Sequence, residues 1–389
     1  MFSVLVSFVV ALIVTMLIVK FAKKVKGILD CDLDSVQKIH AIPVPRVGGL
    51  GIFVAAVLGG CAVYFRNPET AMWIGLLILS SVPAFGAGIV EDFTKRIRPA
   101  KRLAFTMLSA AIAFFVLNAG IIRTGNAFVD QLLGYAWLSL PLTIFAVAGV
   151  ANAVNIIDGF NGLAGAVTMF MFLSLAYVAY CVGDVFVMTA ALIMVGAIAG
   201  FLVWNYPAGM IFMGDGGAYF IGFILAELAV LLVARNPLVS PWYAVLLLIY
   251  PVVETIFSIY RRKIVRGVSP GLPDGVHLHM LVFKRIVRWT VGPKDARAIT
   301  RNNSRTSPYL WLLSLMAVIP ATLLWSQSVL LCGLCVLFIA TYIWLYAKIV
   351  RFKVPGYLRR SGSVPKKARP PGAANKPELI AETKVSQRG

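Results

Sequence analysis

The sequence contains few charged residues and very few acidic ones. Only 13% of its 389 residues are charged, and 16 Asp and Glu stand against 36 Lys and Arg, whereas 60% of the residues are hydrophobic. A chain with so little polar material cannot cover the surface of a soluble globule. The composition therefore excludes a soluble enzyme or binding domain and indicates an integral membrane protein.

Cysteine and histidine are also scarce. The chain has five cysteines, of which Cys332 and Cys335 form a CxxC spacing inside an apolar run. Packing in lipid explains that pair better than redox or metal chemistry, which needs a polar and accessible setting. The sequence shows no internal repeat and no second soluble domain. These absences exclude a disulfide scaffold and a solenoid.

Long apolar runs make up most of the chain. Each is long enough to cross about 30 Å of hydrocarbon, and there are eleven of them: 2–20, 48–65, 71–90, 103–122, 137–156, 163–182, 185–204, 216–234, 241–260, 308–325 and 328–347. The first lacks a basic start and a cleavage site, so we interpret it as a retained helix. We expect an all-α polytopic membrane protein with one multi-pass domain over residues 1–350.

The basic residues indicate how this domain is oriented. A periplasmic N-terminus places all Lys and Arg except Arg66, Arg123 and Arg235 on one face. The positive-inside rule makes that face cytoplasmic, together with the C-terminus. The net charge of +20 therefore reflects topology and attraction to anionic lipid, and requires no nucleic acid. The cytoplasmic segments are then 21–47, 91–102, 157–162, 205–215, 261–307 and a basic tail, 351–389, whose composition predicts disorder.

The most unusual polar segment is NAVNIIDGFNGLAG, which begins at Asn152. Asn152, Asn155 and Asp158 are three residues apart, so a continuing helix would present them on one face. Polar groups at the end of a membrane helix usually mark a functional site. The alternative is an interfacial helix terminus in which Asn and Asp only cap and turn the chain.

Three further acidic residues lie at predicted helix ends. Glu91 and Asp92 are adjacent within a basic segment, where acids contribute little to orientation. They either hold a cation, move a proton or balance the surrounding charge. Asp215 lies between glycines in FMGDGGAYF, directly before an apolar run. It could cap that helix, or it could bind a hard metal ion beside a phosphate at the helix start.

All three histidines lie in predicted cytoplasmic loops. Lys38 and His40 occur in QKIHAIPVPRVGG, where they form either a contact for an anionic substrate or ordinary positive-inside charge. His277 and His279 occur in PDGVHLHMLVFKR, and in an extended chain they would face one side and could hydrogen-bond a phosphate. Zinc is disfavoured because Cys31 is the only cysteine on this face.

These groups together favour an enzyme. Transporters need polar groups near the membrane midplane and on both sides of it, whereas these groups gather at one boundary. Cytoplasmic carboxylates, cations and glycine-rich helix starts suit a magnesium-bound diphosphate. We therefore expect an enzyme that takes a nucleotide from water and a phosphate from lipid. A transporter or flippase of a lipid-linked or anionic solute is the alternative.

Five motifs also carry a resemblance to a known family. QKIHAIPVPRVGG, GIVEDFTKR, NAVNIIDGFNGLAG, FMGDGGAYFIG and PDGVHLHMLVFKR, in this order, resemble the polyprenyl-phosphate N-acetylhexosamine-1-phosphate transferase superfamily, glycosyltransferase family 4, and most closely its WecA-like branch. The resemblance covers roughly residues 1–350. It implies a bacterial inner-membrane enzyme that transfers HexNAc-1-phosphate from a UDP-sugar to undecaprenyl phosphate, releases UMP and starts an O-antigen-like polysaccharide. The phospho-MurNAc-pentapeptide transferase branch is the competitor within the superfamily.

The resemblance also implies roles for particular residues. Mg²⁺, or Mn²⁺ in its place, would be held by Asp215 with Asp158 nearby. Asp92, Glu91 and Asp158 would be catalytic, the acidic pair supplying a base for the lipid phosphate. Substrate contacts would come from Lys38, His40, Asn155, Asn161, Lys101, His277 and His279. Direct displacement is favoured over a phospho-enzyme, since a preorganised metal and cations can carry the charge of phosphoryl transfer. A homodimer remains an open alternative.

Three positions depart from the family pattern, and one of them is Met280, where the histidine cluster ends with two histidines. Glu91 stands where the family usually has Asp, and Asn161 stands where a second carboxylate is frequent. A metal site with fewer charges should bind Mg²⁺ more weakly or take more ligands from the phosphates of the substrate. The departures bear on individual roles more than on the class of reaction.

Overall fold

The computed structural model describes residues 1–24, 29–30, 43–267, 275–287 and 296–351. Residues 1–351 form one compact unit. Lys38, His40 and the predicted tail beyond residue 351 lie outside the described residues, so their expected roles stay predictions. The only strands among the described residues are β1, Leu29–Asp30, and β2, Val44–Pro45, which pair antiparallel.

Helices form the rest of the architecture. In chain order they are α1 Phe2–Phe21, α2 Gly48–Tyr64, α3 Pro68–Ser80, α4 Val82–Thr94, α5 Pro99–Leu117, α6 Ala127–Leu133, α7 Ala136–Ile157, α8 Leu163–Val182, α9 Val185–Asn205, α10 Gly214–Arg235, α11 Pro241–Leu247, α12 Ile249–Tyr260, α13 Leu278–Val282, α14 Ala296–Leu323 and α15 Ser328–Arg351. Short π-helical turns, Arg261–Val265 and Phe283–Val287, follow α12 and α13.

The expected all-α polytopic membrane architecture is confirmed. Among the described residues, eight helices are long and apolar enough to cross a membrane, and two bent helix pairs raise the number to ten. The eleventh predicted run is α2, a shorter apolar helix of 17 residues. The prediction of about eleven spans thus exceeds the number that qualify by length, because one predicted span is short.

The two bent pairs have a common local cause. The helix axis bends by 46° between α3 and α4 and by 68° between α11 and the helix that starts at Ile249. Pro83 follows the first break and Pro251 the second. Proline removes a backbone donor and its ring pushes against the preceding turn, which breaks or kinks a helix. These bends direct the later half of each pair toward α10 and α7.

Helix α10 lies at the centre of the bundle, and nearly every residue from Gly214 to Val233 is buried. Small residues permit its neighbours to approach closely. A Cβ at Gly49 would lie 2.2 Å from the amide nitrogen of Gly217, and one at Gly88 would lie 2.5 Å from the Cα of Gly216. Small residues at helix contacts let backbones pack directly in membranes. Helices α2 and α4 therefore touch the backbone of the first turn of α10.

This contact predicts different effects for two glycines of α4. Gly88→Ala should push α4 away from α10, because the new Cβ would meet backbone atoms of Asp215 and Gly216 that cannot rotate aside. We expect a loss of about 1–3 kcal/mol, the usual cost of overpacking. A Cβ at Gly86 would lie in open space, with nothing within 4 Å, so Gly86→Ala is the matched control and should be neutral or slightly stabilising.

Thermal unfolding of the two variants in detergent measures the difference. A lower melting temperature for Gly88→Ala alone is the expected result. Equal melting temperatures would contradict the close contact between α4 and α10.

Candidate active site

A short backbone ladder brings the start of α2 against the start of α10. The amide of Phe212 donates to the carbonyl of Pro45 at 2.8 Å, and the amides of Gly48 and Gly49 donate to the carbonyls of Phe212 and Met213 at 3.0 and 2.8 Å. Each backbone donor pairs with an acceptor from a segment more than 150 residues away in the sequence, so the two glycine-rich turns form one structure. Arg46 lies within this ladder, beside the turn that begins α10.

The carboxylate of Asp92 holds the first turn of α10. Its Oδ1 accepts the amide hydrogen of Asp215 at 2.8 Å, and its Oδ2 accepts that of Gly216 at 2.9 Å. The first amides of a helix have no partner within it, and a carboxylate there also interacts favourably with the helix dipole. Asp92 is almost fully buried. Asp92 therefore caps α10 from a neighbouring helix.

The alternative in which Asp215 itself caps α10 is wrong. The helix begins at Gly214, so Asp215 lies inside its first turn, and the residue at the cap position, Met213, makes no side-chain cap. Gly214 has a φ of +77°, and a Cβ there would overlap the carbonyl oxygen of Arg46. The glycine permits the tight turn, and the carboxylate of Asp215 is left to face other groups.

Two arginines face these carboxylates. One guanidinium nitrogen of Arg46 lies 3.8 Å from an oxygen of Asp92 and 3.8 Å from an oxygen of Asp215. Arg102 pairs directly with the other oxygen of Asp215, and its guanidinium lies 5.8 Å from the centre of the Tyr219 ring. Buried carboxylates require such neutralisation, since an uncompensated buried charge is costly.

The structure brings Arg102 to the site where the sequence predicted Lys101. The side chain of Lys101 is exposed, whereas Arg102 is mostly buried against Asp215. The two residues are consecutive on α5, so they point about 100° apart around its axis. A substrate contact by Lys101 stays a prediction, but the cation that meets the carboxylates is Arg102.

Asp158 joins the same charged group from α7. It follows the last residue of that helix, Ile157, and its charge interacts with those of Arg46 and Asp92. Burial raises the pKa of the Asp158 carboxyl to about 7, and the positive charge of Arg46 opposes this rise. A carboxyl that titrates near neutral pH can accept and release a proton in that range. Three aspartates from three helices thus surround one arginine.

The asparagines before Asp158 lie on the same face, as their spacing predicts. The hydroxyl of Tyr219 donates to the Oδ1 of Asn152 at 3.1 Å, and it also hydrogen-bonds the side chain of Asn155. Tyr219 belongs to α10 and stands beside Arg102. The polar end of α7 is therefore tied to α10 one turn beyond Asp215. The expectation that Asn155 contacts nucleotide or phosphate stays a prediction.

Glu91 and Asn161 have contacts of a structural kind. The carboxylate of Glu91 accepts the amide of Ile97 at 2.6 Å and so orders the turn after α4. Asn161 is buried. Its backbone amide donates to the side-chain oxygen of Asn303 at 2.8 Å, and its backbone carbonyl accepts the hydroxyl of Ser307 at 2.6 Å. These bonds attach the loop after Asp158 to α14. The predicted catalytic role of Glu91 and substrate role of Asn161 stay predictions.

The HxH segment reaches this site from the other side. The rings of His277 and His279 are stacked, with centroids 5.2 Å apart and planes 7° from parallel. His277 immediately precedes α13 and His279 lies within it, so the pair faces one side although the second member is helical. A Cβ on Gly159 would be 3.2 Å from the Nε2 of His279. His279 therefore packs against the residue that follows Asp158.

The donor set fits a hard divalent cation in part. The carboxylates of Asp92, Asp158 and Asp215 gather around the guanidinium of Arg46. Carboxylate oxygens are ligands that Mg²⁺ prefers. Within the described residues no three His, Cys, Asp or Glu are close enough to form a cage by themselves. Mg²⁺ is usually held by one or two carboxylates together with substrate phosphates. The residues fit that kind of shared site.

Sequence reasoning missed the partners that organise these side chains. Arg102, Tyr219 and Glu254 contact predicted site residues. Arg102 and Glu254 lie in stretches that resemble an ordinary membrane helix or its flank, and Tyr219 lies in the apolar end of the FMGDGGAYFIG motif. A signal existed for Glu254, because a lone acidic residue inside an apolar run is a functional hypothesis by default. Arg102 carried no such signal, because it is one of five basic residues between positions 95 and 102.

The pairing of Arg102 with Asp215 predicts a stability difference between consecutive residues. Arg102→Ala should lower the free energy of unfolding by about 1–3 kcal/mol, less than the 3–5 kcal/mol typical of a fully buried pair because Arg46 still faces Asp215. Lys101→Ala removes an exposed charge and should change stability by less than about 0.5 kcal/mol. Thermal unfolding without substrate measures both, and equal losses would contradict the assigned pairing.

Comparison with known proteins places the three aspartates within a family. The model of glycosyl transferase family 4 matches residues 73–233, which include Asp92, Asp158 and Asp215. A "probable undecaprenyl-phosphate N-acetylglucosaminyl 1-phosphate transferase" of Bacillus subtilis is 28% identical over 285 residues, 72% of this chain and 77% of the relative. An undecaprenyl-phosphate alpha-N-acetylglucosaminyl 1-phosphate transferase of Thermotoga maritima is 27% identical, over 72% of this chain and 81% of the relative.

A relative with a different printed activity is also similar. The phospho-N-acetylmuramoyl-pentapeptide-transferase of Shouchella clausii is 31% identical over 250 residues, which cover 59% of this chain and 74% of the relative. The printed names of both kinds of relative describe transferases of a phosphorylated N-acetyl sugar. The chain therefore belongs to glycosyl transferase family 4, the polyprenyl-phosphate N-acetylhexosamine-1-phosphate transferase superfamily.

Proposed function

We propose that the protein transfers N-acetylhexosamine-1-phosphate from a UDP-sugar to a polyprenyl phosphate, undecaprenyl phosphate in bacteria, and releases UMP. The observation that carries this proposal is the convergence of Asp92, Asp158 and Asp215 on Arg46 at the ends of membrane helices. Both substrates are phosphates, one in water and the other in lipid. A charged site at the boundary between these phases is accessible to each of them.

The arginines and histidines suit the anionic substrates. Arg46 is 22% exposed through its side chain, so it can turn from the carboxylates to a phosphate oxygen when another cation takes its place. Arg102 forms the opposite wall, next to Tyr219. Guanidinium groups bind phosphate through several parallel hydrogen bonds, which fixes the orientation of the ligand. His277 and His279 add donors from the loop after α12.

Asp215 and Asp158 are the residues proposed to hold Mg²⁺, with Mn²⁺ as a substitute. A bound divalent ion would supply neutralisation of the diphosphate charge and would orient the leaving phosphate. Asp215 is suited to this role because its side chain is 13% exposed, whereas that of Asp92 is fully buried and caps the helix start. The exchange of arginine for metal on these oxygens would leave the net charge of the site balanced.

The reaction is proposed to proceed by direct displacement. An oxygen of the lipid phosphate attacks the phosphorus that carries the sugar, a new P–O bond forms, and the bond to the bridging oxygen breaks, so that UMP leaves with the electron pair. The lipid phosphate has a second pKa of about 6 and is largely ionised at neutral pH. A base is therefore a minor requirement, and Asp158 suits it better than Asp92, because both oxygens of Asp92 already accept backbone amides.

The proposed location is the inner membrane of a bacterium, with the site facing the cytoplasm. The charge distribution supports this orientation, because the motif-bearing loops lie on the predicted face that carries all Lys and Arg except Arg66, Arg123 and Arg235. UDP-sugars are made and kept in the cytoplasm, which requires the donor site to face that side. The product would start an O-antigen-like cell-surface polysaccharide.

A second candidate is phospho-N-acetylmuramoyl-pentapeptide transfer. The identity of 31% to the relative from Shouchella clausii favours it, since the two activities share the acceptor and the bond that is made. The candidates differ only in the sugar nucleotide. The two activities can be distinguished by assaying a donor whose sugar carries the pentapeptide and a donor whose sugar does not.

The deciding assay supplies purified protein and undecaprenyl phosphate with UDP-GlcNAc, UDP-GalNAc or UDP-MurNAc-pentapeptide in turn. We expect a lipid-linked phosphosugar and UMP with a UDP-HexNAc, and no turnover by Asp215→Asn, because an amide is a poor ligand for a hard cation. Turnover with UDP-MurNAc-pentapeptide alone would establish the second candidate. Release of UDP in place of UMP would contradict phosphosugar transfer altogether.

A further inference from the structure

A buried glutamate lies directly behind the histidine pair. Glu254 belongs to α12 and is 1% exposed. Its Oε1 lies 3.1 Å from the Nδ1 of His277 and accepts the amide of Leu278 at 2.9 Å, while its Oε2 accepts the hydroxyl of Tyr342 at 2.9 Å. Both oxygens therefore have donors, one set from the HxH segment and the other from α15. A buried carboxylate with this full set of donors has a defined position.

The contact restricts the chemistry of His277. An ionised carboxylate can only accept hydrogen bonds, so the ring must donate from Nδ1. The neutral ring then carries its proton on Nδ1, and Nε2 is the nitrogen that meets any further partner. A charged ring can donate at both ends, to Glu254 through Nδ1 and to a phosphate oxygen through Nε2. Carboxylates behind histidine ligands fix ring tautomer and orientation in this way in other sites.

His277 packs against His279, which in turn packs against the loop after α7. The two rings stack at 5.2 Å, and His279 packs against Phe160 with ring centroids 5.6 Å apart. It also lies against Gly159, the residue next to Asp158. A rotation of His277 would therefore displace the ring of His279, which lies next to the segment that carries Asp158.

The last membrane helix supports the same arrangement. Tyr342 binds Glu254, and one turn later the hydroxyl of Tyr346 donates to the carbonyl of Val276 at 3.1 Å. Arg261 pairs with this same carbonyl and with the hydroxyl of Tyr346. Helix α15 carries none of the five motifs. Its Tyr346 nevertheless binds the residue before His277, and its Tyr342 binds Glu254, the carboxylate partner of His277.

We propose that Glu254 is a positioning residue that fixes the Nδ1–H tautomer and the orientation of His277, and through the stack that of His279, for contact with the phosphates of the donor nucleotide. The part that concerns substrate rests on the proposed function. The tautomer is a property of the protein without substrate. It can be tested whether or not the proposed reaction occurs.

The first experiment measures the tautomer directly. The chain has only three histidines, so ¹⁵N-histidine labelling of the full-length protein gives three sets of ring signals, and His277→Gln identifies one of them. At about pH 8.5, two units above the ordinary pKa of histidine, the ring of His277 should be protonated on Nδ1 and not on Nε2. In Glu254→Gln the side-chain amide can donate to Nδ1, so the proton should move in part to Nε2.

Two control variants show whether the effect belongs to this carboxylate. Glu227 is also fully buried in a membrane helix, and neither of its oxygens has a hydrogen-bond partner among the described residues. Glu227→Gln should leave the His277 signals unchanged. Tyr342→Phe removes one support of Glu254 but keeps the carboxylate, so it should preserve the Nδ1–H tautomer.

Protonation of Nε2 in the unsubstituted protein, or unchanged signals in Glu254→Gln, would overturn the proposal. The first of these outcomes needs no variant of Glu254, so the proposal stays testable if Glu254→Gln does not fold.

The second experiment separates positioning from a general loss of structure. Glu254→Gln should raise the KM for the UDP-sugar by about tenfold, by analogy with other carboxylate–histidine pairs, while kcat falls by less than about threefold. Glu227→Gln should change neither constant. A wild-type KM in Glu254→Gln, or a loss confined to kcat, would overturn the role toward the nucleotide. If no variant and no wild-type sample turns over, the proposed function fails, and the tautomer result still decides the role of Glu254.

Discussion

The carboxylate of Asp92 and the first two free amides of α10 form the contact on which the site depends. Asp92 ends one membrane helix and accepts hydrogen bonds from Asp215 and Gly216 at the start of another. Both ends lie where the bundle is tightest, since Gly88 and Gly216 bring the two backbones together. Capping therefore serves two purposes here. It satisfies two amides that have no partner within their own helix, and it fixes the position of Asp215.

Charge balance sets the rest of the arrangement. Three aspartates gathered from three helices would repel one another, and Arg46 and Arg102 compensate that repulsion in the protein without substrate. The proposed exchange would keep this balance, because a divalent cation would replace the arginines on the carboxylates and the arginines would then face the negative diphosphate. The histidine pair, held from behind by Glu254, closes the side of the site next to Asp158.

The sequence predicted the features that depend only on residues close together in the chain. Apolar length predicted the helices, the spacing of Asn152, Asn155 and Asp158 predicted a shared face, and glycines around Asp215 predicted a helix start. It was uninformative where the answer depends on which distant segments meet. Lys101 and Arg102 are equivalent by composition, and only the rotation of α5 against α10 distinguishes them. Asp92 could be recognised as functional, but its capping role required the position of a helix more than 120 residues away.

The central proposal is that Asp215 and Asp158 hold a divalent cation that is shared with the donor diphosphate. Titration of Mn²⁺ into the purified full-length protein with UDP, followed by electron paramagnetic resonance, tests it most directly. The account predicts one bound Mn²⁺ per chain that Mg²⁺ displaces, that Asp215→Asn loses, and that Glu227→Gln retains. Identical titrations for the wild type and Asp215→Asn would contradict the account, because the metal would then lie elsewhere or be absent.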